Sequence, residues 1–141
     1  MIEGILLLLL SLIFLSIGSL SSVLIYRLPM MEMKISGINL FFPRSHCPEC
    51  KKDISLFFLM PLIGFLVQRG RCKKCKKPIS KLYFFNEIIH LSAGLALFYY
   101  FGISIFFFVT YLLFFIFHIL FILDYKLFYL PLYLNLSVSV V

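Results

Sequence analysis

Acidic residues are scarce in this chain: six Asp and Glu stand against thirteen Lys and Arg, and only 13% of the 141 residues are charged. Soluble domains carry about 25% charged residues. With 62% hydrophobic side chains and a mean hydropathy of +1.06, the composition excludes an ordinary soluble domain and indicates a membrane protein. Tryptophan is absent, and eighteen Phe and eight Tyr suit lipid-facing or helix-packing surface. No basic segment precedes the first apolar run, "MIEGILLLLLSLIFL", which argues against a cleaved signal peptide. No glycine-rich segment of the kind that cradles a soluble cofactor is present, and no Asp or Glu follows Asp124.

The positive charge is concentrated: twelve of the thirteen Lys and Arg fall between Arg27 and Lys81, with Lys126 the exception. A basic cluster can attract nucleic acid, anionic lipid or an acidic partner. In a membrane protein the positive-inside rule accounts for it more simply, placing this loop in the cytoplasm with no nucleic-acid partner. The bilayer itself is the expected partner.

The apolar stretches set out an all-α, multi-pass architecture. Ile5 to about Tyr26 gives a first span, and the roughly 40 apolar residues from Phe84 to Leu123 give a second and a third, reversing near Gly102. About 20 residues cross the hydrocarbon core. "RLP" at residues 27–29 is expected to end the first helix, because proline cannot continue a helix interior. The domains expected are therefore residues 1–26, a first helix; 27–82, a cytoplasmic loop; and 83–141, two helices and the start of a truncated fourth. "ISLFFLMPLIGFLV", residues 54–67, is too short for a span and holds Pro61 and Gly64. It is expected to pack on the membrane surface or the bundle without crossing. Gly18 and Ser22, one turn apart, either admit a neighbouring helix closely or are incidental small residues.

Inside the loop, "HCPEC" and "RCKKC" set Cys47, Cys50, Cys72 and Cys75 in two C-x2-C pairs 21 residues apart. Disulfides do not persist on the reducing side of a membrane, whereas doubled C-x2-C turns suit a tetrahedral zinc with all four positions filled by thiolates. Such a site is structural, since no position remains for a reactive water. Lys51, Lys52, Arg71, Lys73, Lys74, Lys76 and Lys77 flank the pairs and offset the thiolate charge.

These motifs resemble those of the type IV prepilin leader peptidases, bacterial membrane aspartic proteases that also methylate the new N-terminus of the cleaved pilin. The resemblance runs through "GSLSSVLIYRLP" (18–29), "PRSHCPECKKDI" (43–54), "MPLIGFLVQRGRCKKCKKPIS" (60–80) and "YFFNE" (83–87). It implies a home in the bacterial inner membrane, prepilin-like substrates and possible use of S-adenosylmethionine. "DYKLFYLP" matches the family's D-x6-P pattern and implies that Asp124 is the first catalytic aspartate, with Pro131 closing the motif. Judged without the resemblance, Asp124 reads rather as an interfacial residue, paired with Lys126 or wetted by headgroup water.

Two positions depart from the family: Phe84 stands where proline is usual, and Phe58 where an acid is often found. A larger departure is that the family's second aspartate, in a G-x-G-D segment, has no counterpart here. Aspartic proteolysis needs two carboxylates sharing a proton, so the chain alone is expected to be inactive, as if truncated. The family builds its dyad within one chain, which disfavours a dyad made across a homodimer. The alternative is a non-catalytic, zinc-stabilised membrane module that binds pilin precursors or an assembly partner. Glu87 suits either helix capping or a part in methyl transfer, and His90 a packing or hydrogen-bonding role.

Overall fold

In lipid a single segment satisfies its backbone only by becoming a helix, and the three long apolar stretches do so. The structure is a computed structural model that describes residues 2–34 and 37–127. Helix α1 spans Ile2–Glu32, followed by a 3-10 turn at Leu56–Leu59 and the short α2 at Ile63–Val67; α3 spans Lys81–Phe101 and α4 spans Ile105–Leu127. No strand occurs among the described residues. The three long helices are each long and apolar enough to cross a membrane. Between α3 and α4 the chain reverses at Gly102, whose φ of 59° lies in the region glycine enters without a Cβ clash. The reversal falls where the sequence places it.

Pro29 does not end α1, contrary to the expectation; the helix runs on to Glu32. A proline there forfeits one backbone bond within the last turns. Packing supplies the compensation, because Ile25 and Leu28 are buried with Ile119, Ile122 and Leu123 of α4, and Met33 N–H still donates to Pro29 O at 3.1 Å. At its other end the loop closes slightly earlier than expected: Ser80 Oγ accepts the Leu82 amide, and α3 begins at Lys81. The expected fourth span and Pro131 lie outside the described residues.

Helices α1 and α3 approach closely at two glycines. A Cβ on Gly18 would lie 2.7 Å from Glu87 Cα and 2.8 Å from Asn86 O, and one on Gly94 would lie 2.5 Å from the Phe14 ring. The Gly18 contact settles the small-residue question in favour of close packing. One turn on, Asn86 Nδ2 donates to Ser22 Oγ at 2.9 Å. Toward the other end of the bundle, the Phe14 ring meets Tyr111 at 5.1 Å and Phe107 at 6.2 Å between centroids. The contacts of Ser22 with Asn86 and of Leu28 with Leu123 put the end of α1, the start of α3 and the end of α4 together. The loop and Asp124 therefore share one end of the bundle.

Residues 56–67 form only the 3-10 turn and α2, with no spanning helix, as the sequence leads one to expect. They are tied to the bundle. Glu87 Oε2 accepts the Leu62 amide at 2.7 Å, and the Phe65 and Phe84 rings lie 5.2 Å apart. A second tether is Arg27, whose guanidinium donates to the carbonyls of Asn39, Leu40 and Pro43 at 2.8, 3.0 and 2.6 Å. Both substituted aromatics find partners, since Phe58 carries Lys73 Nζ at 4.4 Å over its ring.

Candidate metal centre

Each cysteine pair builds the same backbone turn. Cys47 N–H donates to Lys52 O and Lys51 N–H to Cys47 O; correspondingly, Cys72 N–H donates to Lys77 O and Lys76 N–H to Cys72 O, all at 2.9–3.0 Å. Lys51 and Lys76 occupy the equivalent left-handed positions, with φ of 56° and 61°. Single bridges, His46 to Asp53 and Arg71 to Pro78, close the two turns. Two such turns facing each other bring the four sulfurs within 4.8 Å of one another.

That spacing fits a metal ion. Four thiolates at about 2.3 Å from a tetrahedral centre stand about 3.8 Å apart along each edge; Cys47 Sγ and Cys75 Sγ are 3.7 Å apart. The backbone also prepares the charge. The amides of Cys75 and Lys74 donate to Cys72 and hold its thiol at about 6, while those of Cys50 and Glu49 lower Cys47 in the same way. At Cys75 the Lys77 amide pulls downward, but burial and the neighbouring sulfurs outweigh it and push the thiol up to about 11. Crowded sulfurs resist carrying charge together, and a cation at their centre removes that resistance.

Not every flanking lysine is free to offset the thiolates. Lys77 Nζ pairs with Glu49 Oε2 at 2.7 Å, with both side chains more than half exposed, so it staples one cysteine turn to the other. Exposed pairs of this kind contribute little stability.

Asp124 lies on the exposed surface of α4, directly after the fully buried Leu123. The Lys126 side chain and Pro131 are outside the described residues. His118 Nδ1 meets His90 Nε2 at 3.0 Å, while His90 Nδ1 meets Tyr111 Oη at 3.3 Å. His90 is therefore a buried hydrogen-bonding residue, which is one of the two roles the sequence leaves open. Glu87 sits in the second turn of α3 and accepts from α2, so the amide it serves is not on its own helix.

Sequence reasoning missed the pairing of Ser22 with Asn86, the line from Tyr111 through His90 to His118, and the Arg27 clamp. The available signal was spacing. Asn86 and His90 lie four residues apart on α3, and Tyr111 and His118 lie seven apart on α4, so each pair shares one face of an otherwise apolar helix.

The model of the Bacterial Peptidase A24 N-terminal domain matches residues 12–101. A prepilin leader peptidase/N-methyltransferase of Klebsiella pneumoniae is 46% identical over 56 residues, covering 40% of this chain and 25% of that protein. The protein of the same name from Legionella pneumophila is 34% identical over 109 residues, covering 64% of this chain and 38% of that protein. A third, from Vibrio cholerae, is 36% identical over 91 residues, covering 61% and 35%. The chain thus spans well under half the length of these relatives. No solved structure matches it at a significant level.

Proposed function

Since the chain belongs to the family of the Bacterial Peptidase A24 N-terminal domain, we propose that it is the zinc-loop and first-aspartate portion of a prepilin leader peptidase of the bacterial inner membrane. The family match over residues 12–101 carries the zinc-loop part of this reading, and the D-x6-P pattern that begins at Asp124 supports the rest. In it, Cys47, Cys50, Cys72 and Cys75 hold one structural zinc in the cytoplasm, on the side the clustered Lys and Arg favour. Asp124 sits at the same end of the bundle as the loop, where it is one of the two carboxylates that exchange a proton during peptide hydrolysis. We assign Glu87 to holding α2, because its carboxylate already accepts the Leu62 amide. The substrates are prepilin-like proteins, as the relatives' names indicate.

Residues 125–141 hold no Asp or Glu, which favours a second reading in which this chain by itself binds precursors without cutting them. One experiment bears on both. Residues 12–127 are placed in the Legionella relative in place of its own N-terminal portion, and prepilin processing is measured beside that of the isolated chain. The chimera is expected to cleave, and Asp124→Asn to slow it about 10²–10⁴-fold, the usual worth of a proton-transferring group. The isolated chain is expected not to cleave. A chimera indifferent to Asp124→Asn would sink the catalytic assignment, and cleavage by the isolated chain would remove the second reading.

A further inference from the structure

Two Leu-Phe-Phe tips, residues 40–42 and 56–58, stand out from the cysteine loop. Phe41 is 83% exposed, Phe42 66%, Leu56 85% and Phe57 55%, an amount of uncovered apolar surface that marks an interaction site. Neither tip is loose. Asn39 Oδ1 accepts the amides of Phe41 and Phe42 at 2.8 and 2.6 Å, and the buried Arg27 of α1 takes the carbonyls of Asn39, Leu40 and Pro43. In the second tip Phe58 N–H donates to Ser55 O and Met60 N–H to Phe57 O. Phe58 lies against Gly64 of α2, and the exposed Met60, Ile63 and Leu66 carry the apolar surface on into that helix.

Each tip is fastened to a spanning helix inside that helix's end. Glu87, which accepts the Leu62 amide, lies six residues into α3, about 9 Å along its axis. A glutamate side chain leans back toward the helix start, and the Phe65–Phe84 contact sets α2 beside the first turn as well. The second tip and α2 therefore stand level with the first two turns of α3. Arg27 lies five residues before the end of α1, about 7.5 Å along its axis, which sets the first tip level with the last turns of α1. Because the 21 residues of α3 cover about 31 Å, close to the roughly 30 Å of the hydrocarbon core, these levels fall where acyl chains meet headgroups.

We propose that the cysteine loop rests on the bilayer through these two tips, which dip into the leaflet on its side, with anionic headgroups drawn to the cations beside them. The surface is continuous with one that faces lipid, since Phe85, Ile88 and Ile89 stand exposed on α3 just beyond the ring that Phe65 touches. Backbone groups that enter a leaflet must be bonded within the protein, and the bonds from Asn39, Arg27 and Ser55 meet that condition at the tips. Charge fits the same occupant. Arg44 follows the first tip, Lys51 and Lys52 precede the second, and Arg69 and Arg71 follow α2, all of them exposed. The acids over residues 40–80 are Glu49, held by Lys77, and Asp53. Lys73 Nζ over the Phe58 ring is placed as a cation that covers apolar surface with its stem and keeps its head among headgroups. A soluble partner would first have to displace the lipid that surrounds α1 and α3 at this level. The cysteine turns are thereby held at the membrane surface, at the end of the bundle that carries Asp124.

The chain has no Trp, so a single introduced tryptophan reports its own surroundings. Phe41→Trp and Phe57→Trp replace exposed rings and leave the bundle untouched; Phe117→Trp, exposed midway along α4, marks lipid contact, and Lys74→Trp, exposed on a cysteine turn, marks water. Each full-length variant is placed in vesicles of phosphatidylcholine and phosphatidylglycerol, with bromine on the upper acyl chain of one lipid or the other at equal mole fraction. Both tip variants are expected to lose at least half as much emission as Phe117→Trp, while Lys74→Trp loses little. Brominated phosphatidylglycerol should quench the tips about twofold more than brominated phosphatidylcholine, a preference absent at Phe117→Trp and removed in about 1 M salt, where charges are screened beyond about 3 Å. Tips quenched no more than Lys74→Trp, as when another protein or a second copy of the chain covers them, overturn the proposal, and so does quenching of one tip alone. Equal quenching of the tips by the two lipids overturns its headgroup half. Neither zinc nor cleavage is read, so failure here leaves the peptidase reading standing.

Discussion

Cys72→Ser is expected to take the chain from about one bound zinc to almost none and to release the loop while leaving the three long helices in place. The reason is that the tethers from Arg27 and Glu87 reach residues 39–43 and 62, leaving little else to hold the two cysteine turns. The loop's 3-10 turn buries no residue, and α2 buries only Gly64, so no apolar core stands behind the two cysteine turns. Structural zinc supplies roughly 10–16 kcal/mol of apparent binding free energy in small zinc modules, which exceeds anything the exposed Lys77–Glu49 pair can add. Removing one thiolate opens the tetrahedron, and the affinity loss should exceed the roughly 10–100-fold that outer-shell changes alone produce.

Metal analysis of the purified protein checks the first half of this expectation. Trypsin checks the second, because Lys73 and Lys74 lie between the second pair of cysteines and should become cleavable. The helix content should hold, since the contacts between α1, α3 and α4 involve none of the cysteines. Lowering the pH of the unaltered protein should release the metal too, because each ligand must be deprotonated to bind. A folded, protease-resistant loop without metal would remove zinc from the account.

The parts of the fold legible in the sequence are those whose physics is local. Span lengths follow from hydropathy, the reversal follows from Gly102, and each cysteine turn is set by its own C-x2-C and the two residues after it. What was not legible depends on partners distant in sequence. Pro29 ends a helix by local rules, yet α1 continues because Ile25 and Leu28 are gripped by residues nearly 100 positions later. Glu87 near a helix start reads as a cap for its own helix, but its acceptor role is decided by where Leu62 comes to rest. Asn86, His90, Tyr111 and His118 each read singly as tolerated polar residues; only the crossing of α3 with α1 and α4 joins them. The cluster of four cysteines that could hold a metal ion was legible residue by residue, whereas the catalytic reading of Asp124 rests on a motif whose proline lies outside the described residues.

Gly18→Ala is expected to be the most damaging single methyl group that can be added to the bundle. A Cβ there meets the backbone of α3, at Glu87 Cα and Asn86 O, so no rotamer change makes room. The helix itself must move, and the two residues it would carry away are those that bond Ser22 and Leu62. Overpacking of this kind costs about 1–3 kcal/mol, and the loss of a buried hydrogen bond adds about 1 kcal/mol more.

Gly94→Ala presents the contrasting case, because the obstacle is the Phe14 side chain. That ring is hemmed in by Tyr111 and Phe107 and yields only in part, so the cost should be smaller but not zero. Gly4→Ala meets nothing within 4 Å and is expected to be neutral or slightly stabilising, since alanine is the better helix former. Unfolding of the three variants in mixed micelles, followed by loss of helix, should therefore rank Gly18→Ala as least stable, then Gly94→Ala, then Gly4→Ala. If Gly18→Ala matched Gly4→Ala, α1 and α3 would not cross at Gly18, and the bond from Asn86 to Ser22 one turn on would lose its support.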